Sequence, residues 1–168
     1  MTLQEAEKEQ VQNFNNYIIH IETLGCRLNQ IESESIAKSF VVEGFDCTME
    51  AITAKQDSCY NTILCIINTC TVTSKAEQKA RRIIRLLLEK FPKSVVIVTG
   101  CYAEVEAEYL EKIDSRIAVL KGTAKDALAD YPNIIKKYLE LYRENDLYVM
   151  FLTLGYGTAT NDVLDYLG

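Results

Sequence analysis

Two uninterrupted runs of apolar residues constrain the fold of this chain more than any other feature. Residues 62–68 (TILCIIN) and 94–99 (SVVIVT) are rich in β-branched side chains and lack the polar alternation of a half-exposed strand. Such runs are typical of strands covered on both faces, as in a parallel sheet. Between them an apolar stripe of helical period runs from Ala76 to Phe91 and ends before Pro92. This order predicts a right-handed β-α-β unit.

The rest of the chain continues the alternation of strands and helices. Further strands are predicted at residues 17–24, 45–49, 117–121 and 147–154. Further helices are predicted at residues 29–42, 103–113 and 125–143, the last kinked or split at Pro132. Residues 50–61 are predicted to form a loop. The pattern indicates an α/β domain with a parallel sheet in a three-layer, flavodoxin- or Rossmann-like arrangement.

The length and composition suit one domain. The chain has 168 residues, of which 48% are hydrophobic and 25% charged, as in ordinary globular proteins. We expect a polar leader at residues 1–16, the α/β domain at residues 17–146, and a strand and tail at residues 147–168. No run approaches the ~20 apolar residues that span a bilayer, and the acidic, Gln-rich beginning has no signal-peptide centre. We therefore expect a cytoplasmic protein without a membrane partner.

Six cysteines are unusual for a chain without an export signal: Cys26, Cys47, Cys59, Cys65, Cys70 and Cys101. Because cytosolic thiols are kept reduced, metal or redox chemistry is a better explanation than disulfides. His20 is the single histidine of the sequence. A His-rich zinc or non-haem iron site is therefore excluded within this chain.

Three of the cysteines, Cys26, Cys70 and Cys101, each follow a predicted strand and precede a helix. The carboxyl ends of parallel strands share one edge of the sheet, where α/β proteins bind ligands, so we expect these thiols to meet there. Helix N-termini stabilise thiolates, and N-x-x-E and S-x-x-E spacings at Asn29 and Ser74 predict two capping boxes. Three thiolates without a CxxC pair suit an iron–sulfur cluster with one iron left for an outside ligand. Burial of the cysteines as small hydrophobic residues is the alternative.

The other singled-out residues are predicted to be structural. Cys65 lies within an apolar run and is expected to pack in the core. Cys47 and Cys59 lie in weakly patterned segments, and we expect both to be structural or incidental. His20 alternates with apolar neighbours and is expected to be a core or surface histidine without a metal.

A basic segment contains the predicted helix with the apolar stripe, between the two apolar runs. Residues 71–93 carry seven basic residues against two acidic ones, a local charge of +5 in a chain of net charge −6. Five of the basic residues suit weak contact with RNA phosphates: Lys75, Lys79, Arg81, Arg82 and Arg85. A solvated helix face is the alternative. With its negative net charge, the domain is not expected to hold nucleic acid by itself.

Three segments resemble the amino-terminal domain of radical SAM methylthiotransferases. They are residues 23–33 (TLGCRLNQIES), 67–73 (INTCTVT) and 99–103 (TGCYA), and the resemblance covers about residues 17–125. It implies that Cys26, Cys70 and Cys101 ligate an auxiliary 4Fe–4S cluster. Asn29 is then expected to cap the first helix or to line the cluster pocket.

The resemblance also implies a reaction. In that family a second domain binds S-adenosylmethionine and another 4Fe–4S cluster through a CxxxCxxC motif, and a methylthio group is added to a hypermodified tRNA adenosine or to a ribosomal-protein aspartate. The segment around Cys26 is most similar to the threonylcarbamoyladenosine branch, which makes tRNA, not DNA, the expected partner of the full-length enzyme. No cysteine follows Cys101. Because the CxxxCxxC motif and a terminal RNA-binding β-domain are missing, this polypeptide alone is expected to be inactive.

Two other functions compete with this interpretation. One is a metal-free, flavodoxin-like binding module, although the sequence has neither a GxGxxG nor a phosphate-loop pattern. The other is a thiol redox sensor that uses a pair of the same cysteines. Anaerobic loading with iron distinguishes all three.

Overall fold

The computed structural model describes residues 17–70, 73–121 and 128–141, with side chains described as far as Lys136. The described strands are β1 (Ile18–Thr23), β2 (Asp46–Thr48), β3 (Thr62–Thr69), β4 (Val95–Gly100) and β5 (Ile117–Leu120). The described helices are α1 (Arg27–Val42), α2 (Ser74–Lys90), α3 (Cys101–Val105), α4 (Ala107–Ile113) and α5 (Tyr131–Leu141). All strand pairs are parallel. The predicted α/β fold with a parallel sheet is confirmed.

The strand order is β2-β1-β3-β4-β5. The chain therefore adds β2 on one side of β1 and then returns to add the remaining strands on the other side. The switch in direction lies between β1 and β3, and a crevice at the carboxyl ends of such strands is where sheets of this topology bind ligands.

The core consists of two apolar layers, one on each face of the sheet. On one face, Ile21, Ile66 and Ile97 pack with residues of α1 and α5. On the other face, Ile67 and Val98 pack with residues of α2, α3 and α4. Every residue of β3 is buried. Burial on both faces explains why the two apolar runs show no alternation.

The ends of α1 and α2 are fixed by specific hydrogen bonds. After α1, the Gly44 amide donates to Val41 O and the Phe45 amide to Phe40 O, a Schellman motif with Gly44 at φ +95°. After α2, the Arg116 guanidinium donates to the carbonyls of Leu88 (2.8 Å), Phe91 (3.0 Å) and Pro92 (2.8 Å). These contacts satisfy backbone carbonyl groups at the C-terminal ends of both helices.

The structure corrects both predicted capping boxes. Helix α1 begins at Arg27, so Cys26 is the N-cap residue and Asn29 lies within the first turn. Helix α2 is capped by Thr73, whose Oγ1 accepts from the Ala76 amide at 3.1 Å, one residue before the predicted cap. Since N-x-x-E and S-x-x-E spacings recur inside helices, the pattern alone did not fix the first residue.

Two helices also differ from prediction. The segment predicted as one helix at residues 103–113 consists of α3 and α4, separated by Glu106, whose φ of −120° and ψ of 29° are not helical. Pro132 lies in the first turn of α5 and does not kink it, because the missing amide proton has no partner there. A single tight turn at residues 128–130 precedes α5.

The predicted leader (residues 1–16) and the predicted strand and tail (residues 147–168) lie outside the described residues. Within the described part of the chain, no helix has the length and apolar character needed to cross a membrane.

Candidate functional site

The three predicted ligand cysteines follow three neighbouring strands. Cys26 follows β1 as the N-cap residue of α1, Cys70 directly follows β3, and Cys101 directly follows β4 as the first residue of α3. Because β1, β3 and β4 are adjacent and parallel, the cysteines lie along one edge of the sheet, which we call the cysteine edge. Cys26 and Cys101 are exposed, and Cys70 is half-buried.

Cys26 and Cys70 are in contact although 43 residues lie between them in the sequence. The Cys70 side chain lies close enough to the Cys26 sulfur to lower the pKa of Cys26. Gly25, with φ of +113°, lies directly against Cys70: a Cβ at this position would collide with Cys70 Cβ and lie 2.7 Å from its Sγ. Only a residue without a side chain fits this approach. Glycine at position 25 therefore permits the contact.

The environment of Cys26 favours its thiolate form. The backbone amide of Asn29, then that of Leu28 and the Cys70 side chain, hydrogen-bond to the sulfur and hold the pKa of Cys26 below its ordinary value of 9.0. These amides belong to the first turn of α1, where backbone N–H groups have no helical partner. An anionic sulfur is the form that binds metals and acts as a nucleophile.

Polar side chains connect the strand ends beneath the cysteines. Asn29 Nδ2 donates to Leu24 O (3.2 Å) and Thr69 O (3.0 Å), and Asn29 Oδ1 lies 3.9 Å from Cys26 Sγ. Thr69 Oγ1 donates to Thr99 O (2.7 Å) and accepts from the Tyr102 amide (3.1 Å). The three segments that carry the cysteines are therefore joined by side-chain hydrogen bonds.

Asn68 adds a buried contact to the same region. Its Nδ2 donates to Asn29 O (3.3 Å) and Glu32 Oε2 (3.2 Å), and its side chain is fully buried. The first turns of α1 are thus attached to the end of β3 as well as to β1.

The donor set suits an iron–sulfur cluster, although the side chains are not yet arranged around one. Three thiols, one of them stabilised as a thiolate, are the ligands that such clusters use. Within residues 17–70, 73–121 and 128–136, no three Cys, His, Asp or Glu side chains are grouped closely enough to hold one metal ion. Joint ligation therefore requires a rearrangement of side chains, which is rapid at exposed positions such as Cys26 and Cys101.

Helix α2 begins beside the cysteine edge and carries most of the basic segment. Its exposed side includes Lys75, Lys79, Arg82 and Arg85. Arg81 differs from them: it is half-buried, and its guanidinium carbon lies 5.8 Å from the centre of the Tyr109 ring on α4.

Comparison with known proteins identifies the family to which this chain belongs. The family model described as "uncharacterized protein family UPF0004" matches residues 18–122, which include all three cysteines and every strand of the sheet. The chain belongs to the UPF0004 family.

The relatives of this UPF0004 chain include tRNA-modifying enzymes. It is 50% identical over 123 residues to a threonylcarbamoyladenosine tRNA methylthiotransferase of Treponema pallidum, covering 73% of this chain and 24% of the relative. A protein of the same name from Aquifex aeolicus is 32% identical, covering 73% and 27%. A tRNA-2-methylthio-N(6)-dimethylallyladenosine synthase of Neorickettsia sennetsu is 30% identical, covering 77% and 26%. The chain thus spans about a quarter of the length of these curated relatives.

The remaining cysteines of the UPF0004 domain lie away from the cysteine edge. Cys65 is fully buried in β3 and contacts Ser94 Oγ at 3.1 Å, which confirms its prediction as a core residue. Burial raises its pKa to about 12. Cys47 and Cys59 are half-buried and pack against the core, and burial with the nearby Asp46 carboxylate raises the pKa of Cys47 to about 11.

His20 is a core residue, which is one of the two environments predicted for it. Its Nε2 lies 2.8 Å from Glu22 Oε1, both side chains are almost fully buried, and its ring packs 5.0 Å from that of Phe91. Glu22 also accepts from the Ile52 amide at 2.5 Å, which attaches the loop after β2 to the sheet.

Sequence reasoning missed Asn68, Thr69 and Glu22. The signal for the first two was available: Asn68-Thr69 is a polar pair at the end of an otherwise apolar, fully buried strand. A buried polar side chain needs a partner, so its position at a strand end indicated a contact between elements. Glu22 had no comparable signal, because its strand also contains the polar residues His20 and Thr23 and does not form an uninterrupted apolar run.

Proposed function

We propose that this chain is the iron–sulfur-carrying domain of a tRNA methylthiotransferase that adds a methylthio group to C2 of threonylcarbamoyladenosine beside the anticodon. The observation that carries the proposal is the Cys26–Cys70 contact at the switch point of the sheet, with Cys101 on the next strand. The relatives named above are tRNA methylthiotransferases, and this supports the parent reaction.

In this proposal Cys26, Cys70 and Cys101 hold a 4Fe–4S cluster. When bound, a cluster with three thiolate ligands offers its fourth iron to an outside ligand. The chain's own residues prepare the ligands: amides of the first turn of α1 stabilise the Cys26 thiolate, and Gly25 leaves space for Cys70. The three cysteines suit this role, because thiolates are soft ligands of the kind that iron–sulfur clusters select.

Threonylcarbamoyladenosine is favoured over dimethylallyladenosine because six relatives at 30–50% identity carry that substrate in their names. The proposal assigns residues 17–146 to the cluster-carrying domain. It assigns S-adenosylmethionine, the second 4Fe–4S cluster and the RNA-binding β-domain to other parts of the parent enzyme, so this chain alone does not complete the reaction. A tRNA substrate also supports a cytoplasmic location.

Anaerobic reconstitution with iron and sulfide tests the ligand assignment. The chain should become brown and take up about four irons. Cys70→Ala should lose the cluster, because it removes the central of the three ligands. Cys65→Ala is the matched control: it should load fully and lose on the order of 1 kcal/mol of stability.

Each other outcome has a defined meaning. Full loading of Cys70→Ala would overturn the ligand assignment. A chain that takes up no iron but forms a Cys26–Cys70 disulfide in a glutathione redox buffer would be a thiol redox protein instead. Uptake of flavin or nucleotide by the metal-free chain would favour a binding module.

The tRNA partner is proposed to contact helix α2. Lys75, Lys79, Arg82 and Arg85 lie on one exposed side over ten residues, about 15 Å of helix. Within the described part of the chain these four cations make no ion pair, although acidic residues outnumber basic ones, 24 to 18. Unpaired cations beside the cysteine edge are suited to RNA phosphates. We omit Arg81 from this surface because it contacts Tyr109.

The salt dependence of RNA binding tests this surface. A labelled anticodon stem–loop is titrated with the chain at several low salt concentrations. Each phosphate contact contributes roughly 0.7 to 0.9 to the slope of log Kobs against log salt, so glutamine at the four positions should lower the slope by about 3. Glutamine at Lys38, Lys55, Lys93 and Lys112, four exposed lysines elsewhere, is the control of equal charge. Equal slopes for the two variants would refute the RNA surface and leave the iron result untouched.

A further inference from the structure

Asn29 joins the two segments whose cysteines are in contact. Its Nδ2 donates to Leu24 O, two residues before Cys26, and to Thr69 O, the carbonyl bonded to Cys70. One planar amide thus holds two strand-end carbonyls at a fixed separation. Its Oδ1 lies 3.9 Å from Cys26 Sγ, so the same side chain also reaches the thiol.

Thr69 joins the Cys70 segment to the Cys101 segment. Its hydroxyl donates to Thr99 O at 2.7 Å and accepts from the Tyr102 amide at 3.1 Å, one residue on each side of the Gly100-Cys101 pair. Gly100, with φ of +94°, lies so close that a Cβ there would collide with Thr69 O and lie 2.8 Å from its Oγ1. The two strand ends are therefore in direct contact at the cysteine edge.

Both side chains form their hydrogen bonds with residues outside the element that carries them. Asn29 lies inside α1, where backbone hydrogen bonds and the Asn68 contacts hold the helix. Thr69 is the last residue of β3, and the two apolar layers begin further down the strands. These hydrogen bonds run between elements and end at the residues that flank the cysteines.

We propose that Asn29 and Thr69 are positioning residues that set the mutual placement of the three cysteine segments before a cluster binds. The inference rests on the proposed function, because the placement serves to bind the cluster. The placement itself is present in the metal-free chain. Three thiolates repel one another, and flexible loops would lose entropy when they converge on one ligand. Hydrogen bonds that fix the segments in advance reduce that cost, as in other preorganised sites.

The metal-free chain offers a direct measure of placement. In a glutathione redox buffer, Cys26 and Cys70 form a disulfide while glutathione disulfide is reduced to two glutathione thiols. The equilibrium constant gives the effective concentration of one protein thiol at the other. Alkylation of acid-quenched samples and peptide mass spectrometry measure the oxidised fraction at a fixed pH.

Asn29→Ala should lower this effective concentration at least tenfold, because both carbonyl contacts are lost. Asn133→Ala, which removes an exposed asparagine from α5, is the control and should leave it unchanged. Alanine has the highest helix propensity, so neither change should weaken its helix through propensity. An Asn29→Ala value equal to that of the unmodified chain would overturn the role of Asn29.

Thr69 is tested in the iron-loaded chain. Thr69→Val removes the hydroxyl at nearly constant shape and should alter the electron paramagnetic resonance spectrum of the reduced cluster and speed the loss of iron to a chelator. Thr69→Ser, which keeps the hydroxyl, should restore both. Thr99→Val is the matched control, because the buried Thr99 hydroxyl has no partner within the described residues.

The outcomes separate this inference from the proposed function. If the unmodified chain loads iron and Thr69→Val gives an unchanged spectrum and chelation rate, the positioning role of Thr69 is refuted while the ligand assignment stands. If the unmodified chain does not load iron, the proposed function fails, and the disulfide equilibrium still decides the role of Asn29.

Discussion

Cys26 and Cys65 belong to the same small domain and have opposite environments. Cys26 is exposed at the N-terminus of α1, where backbone amides and Cys70 lower its pKa. Cys65 is fully buried in β3, where loss of water raises its pKa to about 12. One thiol is held ready to ionise, and the other behaves as a small hydrophobic residue.

The comparison shows that position relative to the strand ends, not residue type, separates the two kinds of cysteine. In the middle of β3, the Cys65 side chain points into an apolar layer, away from the N-termini of the helices. Beyond the last residue of the strand, the chain meets the first turns of helices and water. Cys65 and Cys70 are five residues apart in sequence and lie on opposite sides of this boundary.

Thiol reactivity should show the largest difference. At pH 8, iodoacetamide should modify Cys26 at least about a thousandfold faster than Cys65, because Cys65 reacts only when the fold opens. Below its pKa the Cys26 rate should rise tenfold per pH unit, and it should level off before pH 9, since its pKa is lowered. Peptide mass spectrometry of timed samples measures both rates.

A urea-unfolded sample is the control for this experiment, because all six thiols should then react at similar rates. A Cys26 rate that continues to rise above pH 9, or a Cys65 rate close to that of Cys26 in the folded chain, would contradict the comparison.

A pair of glycine substitutions should show whether the close approach of Gly25 to Cys70 matters for the cysteine edge. Gly25 and Gly44 both have positive φ, but a Cβ at Gly25 would meet Cys70. Apart from its chain neighbours, no described residue lies within 4 Å of a Cβ at Gly44. Gly44→Ala should therefore cost only the backbone strain, about 1 to 2 kcal/mol. Gly25→Ala should cost more, displace Cys70 and abolish iron loading.

Urea denaturation and iron content of the reconstituted chain measure both glycine variants. Equal losses of stability, with iron loading retained in Gly25→Ala, would show that the close approach of Gly25 to Cys70 has no role in the site.

Much of the fold was predictable because a few residues carried strong periodic signals. The buried runs around Ile66 and Ile97 and the apolar stripe of α2 fixed the parallel sheet, and with it the cysteine edge. Strand order was not predictable, since it depends on which side of β1 each crossover lands. The side on which a crossover places the next strand depends on how the helices pack on the two faces of the sheet. The hydrophobic periodicity of the sequence does not encode that packing.

The partners of the polar side chains at the site were the part that could not be predicted from the sequence. Asn29 was predicted to cap α1 or line a pocket, yet its Nδ2 bonds Thr69 O, forty residues away in sequence. A spacing rule describes neighbours along the chain only. Contacts of this kind depend on the distance between strand ends, which is set when the whole sheet forms.

The smallest expected effect is on stability at high pH. The folded state keeps Cys65 protonated up to a pKa of about 12, whereas an ordinary thiol of the unfolded chain ionises near 9.0. The folded form therefore keeps this contribution to stability below pH 9 and loses it as the pH rises above 9, by at most about 1.4 kcal/mol per pH unit. The stability of Cys65→Ala should fall less steeply than that of the unmodified chain in urea titrations between pH 9 and pH 11.

Cys26→Ala gives a contrast of opposite sign: the lowered pKa of Cys26 makes the unmodified chain gain stability relative to this variant as the pH approaches 9. Parallel pH profiles for the unmodified chain and Cys65→Ala would mean that Cys65 is not held neutral by burial, and the contrast between the two cysteines would then rest on exposure alone.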